Sequence, residues 1–233
     1  MYTLIRHQDI FKPEQARPVF VIGCGATGSH VALQLFSMGI TRGIEVIDFD
    51  TVEPHNLPNQ IFMQKHLDMH KVDALHDYVQ DKMGEFVENL SSTCFVMDKV
   101  PDYNIRNIAD MREDVNPIVI LAVDSMQARR QIVESLREDT RPWRVIDTRM
   151  AASHGNIYSF DVGTQFDKWV ATLIDDADAE VSPCGAPISC MPTTFIISGF
   201  AVWEYINQCV DPLACTEAVD LFMKPGAVHF SRL

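Results

Sequence analysis

The chain has 233 residues, 47% of them hydrophobic and 22% charged, which suits one soluble α/β domain and excludes fibrous and disordered classes. Nineteen Lys and Arg against 32 Asp and Glu leave a formal charge of −13, which repels nucleic-acid phosphate, so no nucleic-acid partner is expected. Six cysteines at 24, 94, 184, 190, 209 and 215 are spread over the whole chain and read as reduced thiols, not a disulfide framework.

Met1 to Ile10 lacks the apolar core and cleavage site of a signal peptide, so a cytoplasmic protein is expected. Pro18 to Gly23 reads as a buried strand, and Ala26 to Met38 as a helix closed by Gly39. Gly43 to Asp48 is a second strand. A polar, proline-bearing segment runs to about Gln64, followed by an amphipathic helix from about Asp68 to Met83. Further strands are expected at Ser92–Met97, Ile118–Val123 and Arg144–Asp147, with helices near Tyr103–Met111 and Ser125–Arg137 between them. Strands separated by helices of this length predict a parallel sheet covered on both faces.

The pattern changes after Asp147. Asn156 to Val162 alternates like an antiparallel strand, and the stretch from there to about Pro192 reads as a long, acidic, turn-rich loop with short ordered pieces. Thr193 to Val210 is a strongly apolar helix. Its most apolar part, Thr194 to Trp203, stops at Glu204 and is too short to span a bilayer, so no membrane partner is expected. Ala227 to Ser231 reads as a last strand. The expected fold is one α/β domain over residues 1–233: a doubly wound, Rossmann-like, mostly parallel sheet at about 17–150, extended by C-terminal antiparallel strands at about 151–233.

The first candidate site is Gly23-Cys-Gly25-Ala-Thr-Gly28, between the first strand and the first helix. Gly23 permits the tight turn, Gly25 admits phosphate to the backbone, and Gly28 lets helix and strand pack closely. The helix N-terminus offers free N–H groups to an anion. Asp48 lies 20 residues beyond Gly28 at a strand end, where a carboxylate can hold ribose hydroxyls. This much suits ATP and NAD equally, and an NAD-dependent oxidoreductase stays open at this point.

The next residues narrow the choice. Asp48-Phe-Asp50-Thr-Val-Glu-Pro-His-Asn56-Leu-Pro-Asn59-Gln60 resembles the D-x-D-x-V-x-x-x-N-L-x-R-Q signature of ThiF/MoeB and ubiquitin-activating adenylyltransferases. Lys71 opens the following helix, and Asp124-Ser-Met-Gln-Ala-Arg129 is similar to the family's D-N-x-x-x-R element. Five elements occur in family order between Pro18 and Arg130. The resemblance implies adenylation of the C-terminal carboxylate of a small β-grasp ubiquitin-like or sulfur-carrier protein, by a homodimer using ATP and Mg²⁺. It implies an ATP site formed by Gly23, Gly25, Ala26, Thr27, Gly28, Asp48, Asp50, Asn56, Asn59, Gln60 and Lys71. Asp124 would hold Mg²⁺, and Lys71 and Arg129 would act on the phosphates and the incoming tail. Arg6, in Leu-Ile-Arg-His-Gln, resembles an element that reaches the neighbouring subunit's site. The bottom-up chemistry agrees: the attacking carboxylate is already ionised, so positioned cations matter more than an acid–base pair.

Several features depart from the pattern. Asn59 stands where the signature has arginine, so Arg6, Arg129 or Arg130 must substitute, or the chain is a degenerate, non-catalytic scaffold. The paired CxxC motif is missing; Cys184, Cys190, Cys209 and Cys215 remain, and no structural zinc is expected. Cys184, then Cys190, is the candidate for a transfer thiol after the acidic run Asp175–Glu180, itself read as a solvated face. Asp147 and Arg149 read as a structural ion pair, and His66, His70 and His76 as solvated or capping residues at a helix entrance.

Overall fold

A computed structural model describes residues 7–84, 94–96, 116–139, 141–176, 189–224 and 226–233, the side chains of 94–96 aside. Eight strands form one sheet: β1 (Val19–Ile22), β2 (Ile44–Ile47), β3 (Cys94–Val96), β4 (Ile118–Leu121), β5 (Arg144–Met150), β6 (His154–Asp161), β7 (Ala218–Met223) and β8 (Gly226–Ser231). Their order is β3-β2-β1-β4-β5-β6-β7-β8. The first five run parallel, and β6, β7 and β8 are added antiparallel to the β5 edge. This is the expected doubly wound sheet with an antiparallel C-terminal extension. The helix expected at Tyr103–Met111 lies outside the described residues, as do the ends of the third strand.

Alternation along the buried strands sorts the core into two layers. Val19, Val21, Ile44, Val46, Ile118 and Ile120 face one side, where α1 (Ala26–Ser37), α2 (Lys71–Met83) and the long α5 (Met191–Val210) pack. Phe20, Ile22, Val119, Leu121 and Val145 face the other, covered by α3 (Met126–Arg137) and α4 (Val162–Val170). Connections from β1 leave toward β2 and those from β4 toward β5, on opposite faces. A crevice therefore opens between the C-terminal ends of β1 and β4, the general ligand position of such sheets.

The structure sharpens or corrects several readings. The stretch after β6 is not all loop: Val162, Phe166 and Trp169 recur at helical spacing and are buried on α4, whose N-terminus is capped by the Asp161 carboxylate accepting from Thr164 N at 3.0 Å. β7 pairs with β6 in a segment that carried no strand expectation. His66 is a capping residue, as one of the two expectations had it, but it is not solvated and caps a different turn, because α2 starts only at Lys71. It is fully buried in a separate 3₁₀ turn, with Nδ1 accepting from Met63 N at 3.0 Å and Nε2 3.0 Å from the Asp77 carboxylate. Of the acidic run, the described Asp175 and Asp176 are exposed, and Asp176 also bonds the N-terminus of α3.

Candidate nucleotide site

The glycine turn is built by contact with β4. Gly23 has φ +95°, a left-handed conformation that disfavours side chains, and a Cβ there would lie 2.6 Å from Ala122 O. A Cβ on Gly28 would be driven into the carbonyl of Gly23, 2.8 Å from its carbon, and would stand 3.2 Å from Ala122 Cβ. Gly25 differs. As the residue before α1 it is partly exposed, and a Cβ there meets only Gln60 Nε2 at 4.0 Å. Gly23 and Gly28 therefore serve packing, and Gly25 leaves open space over the N-terminus of a twelve-residue helix. Thr27 is buried, and Ala26 turns its carbonyl to His30 Nδ1 at 2.8 Å.

Asp48 follows β2 directly and is buried beside this turn. Its Oδ2 accepts from Cys24 N at 2.5 Å and its Oδ1 from Asp50 N at 2.7 Å. Burial raises this carboxyl above its ordinary value, partly offset by Lys71 and the two backbone donors. Cys24 is enclosed, and burial next to the Asp48 charge pushes its thiol well up, so it is an inert packing residue.

Lys71 reaches the site because the chain doubles back. Asp50–Val52 lies against Met69–Lys71, with Val52 N to Met69 O at 2.8 Å and Lys71 N to Asp50 O at 2.9 Å. The return is made at Asp68, the one described non-glycine residue with positive φ, whose N–H donates to Val52 O at 3.0 Å. Lys71 Nζ then donates to Asp50 Oδ2 at 2.7 Å. Burial alone would lower this ammonium, but the carboxylates of Asp48 and Asp50 outweigh it and hold it above its ordinary value. It is a permanent cation at neutral pH.

An open cleft of about 280 Å³ is lined by Phe49, Asp50, Glu53, His55, Asn56 and Lys71, among others. Asn56 is the hub of its turn: Oδ1 accepts from Glu53 N at 2.9 Å and its carbonyl from Asn59 N and Gln60 N at 3.1 and 3.0 Å. Asn59 is half-buried, and Gln60 faces Gly25. The fold thus gathers Gly25, Asp48, Asp50, Asn56, Gln60 and Lys71 around one corner of the sheet.

Asp124 and Arg129 stand apart from that cleft. Asp124 is exposed two residues past the Ala122 that touches the glycine turn. Arg129 is buried and turned inward, donating to the Asp147 carboxylate and to Val123 O. Arg130 is exposed and paired with Glu134 at 2.8 Å along the outer face of α3. Arg6 and Cys184 lie outside the described residues. Cys190, Cys209 and Cys215 are free thiols, and no described residues form a group of three metal-ligating side chains. A single exposed carboxylate still fits Mg²⁺, which takes one or two carboxylates and fills its shell with phosphate oxygens and water.

One arrangement, and part of a second, had no signal in the sequence. Asp176 clamps the start of α3, accepting from Ser125 Oγ at 2.9 Å, Met126 N at 2.5 Å and Gln127 N at 3.2 Å. These donors hold its carboxyl below the usual range against the opposing effect of burial. The expected Asp147–Arg149 ion pair is present, and Asp147 accepts in addition from Arg129 and Trp169, which no sequence signal tied to it.

A profile of the ThiF family matches residues 4–220. The chain belongs to the ThiF family. Solved structures agree on the fold of this ThiF-family chain. The microcin C7 biosynthetic enzyme MccB in complex with N-formylated MccA matches at TM-score 0.70 and 16% identity, covering 94% of this chain and 65% of that one. E. coli MccB with ATP matches at 0.68 and 15%, and PaaA at 0.67 and 18%, with the same coverage. The chain thus spans just under two thirds of these structures. A shorter match joins it to the uncharacterized protein y4oA of Sinorhizobium fredii, 35% identical over 65 residues, 28% of this chain and 11% of that protein. None of the described helices is long and apolar enough to cross a membrane.

Proposed function

We propose that this chain binds ATP over the Gly25 turn and adenylates the C-terminal carboxylate of a small peptide or protein. The observation that carries the proposal is the buried Lys71, held beside Asp48 and Asp50 at the rim of the glycine turn. An enzyme of this class must bring a carboxylate against a triphosphate, and a desolvated, permanent cation is what offsets the repulsion. Asp48 would take the ribose, Gly25 and the α1 N-terminus the phosphates, and Asn56, Gln60 and Lys71 the flanking oxygens. A carboxylate oxygen of the substrate attacks the α-phosphorus, the bond to the bridging oxygen breaks, and pyrophosphate leaves with the electron pair. Mg²⁺ at Asp124 would supply charge neutralisation on the leaving group.

The similarity to MccB bound to MccA supports a peptide-sized substrate; a β-grasp ubiquitin-like or sulfur-carrier protein is the larger form of the same chemistry. In a following transfer, the Cys184 thiolate would attack the acyl-adenylate carbonyl, forming a thioester as the bond to the phosphate oxygen breaks and AMP leaves. Phe195, Ile196 and Trp203, exposed along α5, support a homodimer. The scaffold reading keeps one specific support: Asn59 replaces the signature arginine, and Arg129 and Arg130 are engaged elsewhere.

ATP–pyrophosphate exchange decides between them. Exchange should require a partner with a free C-terminal carboxylate, stop when that terminus is amidated, and be lost in Asp124→Ala. Nucleotide binding without exchange in the presence of β-grasp proteins and of short peptides alike would favour the scaffold. Tight NADH binding instead of ATP would refute both.

A further inference from the structure

Asp147 is fully buried on β5, level with Leu121, the last residue of β4. Its Oδ1 accepts from Arg129 Nη1, and its Oδ2 from Arg149 Nε at 2.9 Å and from Trp169 Nε1 at 2.9 Å. Arg149 is tied off further, donating to Thr172 O at 2.6 Å and Thr172 Oγ1 at 2.9 Å, with its guanidinium 4.4 Å from the Tyr158 ring. Arg129 has one more bond, from Nη2 to Val123 O, the carbonyl immediately before Asp124. The opposite side of that strand end is walled by the glycine turn, since a Cβ on Gly23 would lie 3.1 Å from Val123 N. Ala122–Val123 is therefore held between Gly23 and Arg129.

We infer that Asp147 is a positioning residue: through Arg129 it fixes the Val123–Asp124 peptide, and so sets where the Asp124 carboxylate stands for a divalent cation. The inference rests on the reading of Asp124 as the Mg²⁺ residue. It replaces the expectation that Arg129 meets the incoming tail, because both Nη atoms of this guanidinium are engaged within the protein. A guanidinium suits the task, presenting two nitrogens in a rigid plane to a carboxylate and a carbonyl at once. Removing support of this kind behind a metal ligand lowers metal affinity by about tenfold or more.

The full chain with ATP is titrated with Mn²⁺ and read by electron paramagnetic resonance, beside ATP–pyrophosphate exchange at varied Mg²⁺. Arg129→Lys keeps a charge for Asp147 but offers one nitrogen where the guanidinium uses two. It should weaken Mn²⁺ binding by about tenfold and raise the Mg²⁺ needed for half-maximal exchange by a similar factor. Metal-free ATP affinity should not change. Arg149→Lys, on the other side of Asp147 and without a bond to Val123, should shift metal affinity much less. Asp147→Asn should follow Arg129→Lys; where it does not fold, the two arginine variants carry the test. Arg129→Lys that is folded and binds Mn²⁺ like the wild type overturns the inference alone. Equal shifts in the two arginine variants do the same, since they signal general loosening. A wild-type chain that binds neither ATP nor Mn²⁺ with ATP overturns the nucleotide reading and this inference with it.

Discussion

Gly25 and Gly28 sit three residues apart in one turn, yet alanine should act on them through different physics. At Gly28 the new methyl meets backbone: it would overlap the Gly23 carbonyl and press on Ala122 Cβ. Neither can swing away, because Gly23 N is bonded to Ile47 O at 2.9 Å and Ala122 N to Ile22 O at 2.8 Å. Overpacking of a rigid site costs roughly 3 kcal/mol, equivalent to about 6–12 °C in Tm for a chain of this size. At Gly25 the methyl finds open space, and φ is −79°, so no left-handed strain arises. Losing glycine just before α1 costs about 1 kcal/mol or less. The same methyl stands where phosphate must approach the helix end, so ATP affinity should fall by about tenfold or more, near 1.4 kcal/mol. Thermal unfolding and titration of a fluorescent ATP analogue read the two effects separately. A Gly28→Ala protein with wild-type Tm would refute the packing argument. Gly25→Ala with unchanged Tm and unchanged ATP affinity would refute the placement of the phosphates.

Two further outcomes are expected. Glu45 is buried on β2 with Oε2 unpaired among the described residues, and burial raises its carboxyl from the ordinary 4.5 to about 7. The folded state holds this proton more tightly than the unfolded one, so the stabilisation is complete below about pH 4.5 and is lost as pH rises through about 7. Glu45→Gln should therefore raise stability at pH 8 by roughly 2–3 kcal/mol and flatten the stability profile between pH 5 and 8 in urea unfolding; an unchanged slope would refute the assignment. Trp203→Glu places a charge on the exposed side of α5, where the indole is 51% accessible. Stability should stay within ~0.5 kcal/mol, while sedimentation equilibrium shows a dimer converted to monomer; a wild-type protein that is already monomeric would end the homodimer proposal.

The parts that were legible in the sequence are those where one local segment carries the whole signal. The run Pro18–Gly28 shows a buried strand, a turn that needs glycine and a helix start in eleven consecutive residues. Asp48 and Lys71 were legible through the family signature, and the structure adds how they meet: the Asp68 return lays Asp50–Val52 against Met69–Lys71. α4 was misread because its nine residues follow β6 without a break and its polar positions outnumber the apolar stripe, although Asp161 and Thr164 carried a capping signal. The burial of His66 was missed because proximity to α2 was taken for membership in it, although its capping role was among the expectations. The clamp by Asp176 joins residues 49 to 51 positions apart, with two strands and a helix between them, and no local pattern encodes such a contact.

The Asp147 cluster shows why the motif alone does not fix which way the Arg129 side chain points. Spacing in Asp124-x4-Arg129 places the arginine one helical turn past the N-cap Ser125, on the same side as the preceding loop. From the sequence, that placement is equally compatible with a side chain pointing out to a substrate and one folding back on Val123. The choice depends on what waits beneath α3, and that is a carboxylate on β5, eighteen residues further on and reached only once β4 and β5 have paired. Burying Asp147 without a partner is costly, so the strand demands an arginine; with Arg129 and Arg149 both supplied, the two positive charges hold its carboxyl below the usual range against the opposing effect of burial. A neutral residue at 147 would leave two guanidinium groups facing each other under the strand end that carries Asp124. The geometry of the proposed metal site and the stability of the β4–β5 pair thus depend on the same buried charge, which is why they can be separated only by measuring metal affinity and unfolding on the same variant.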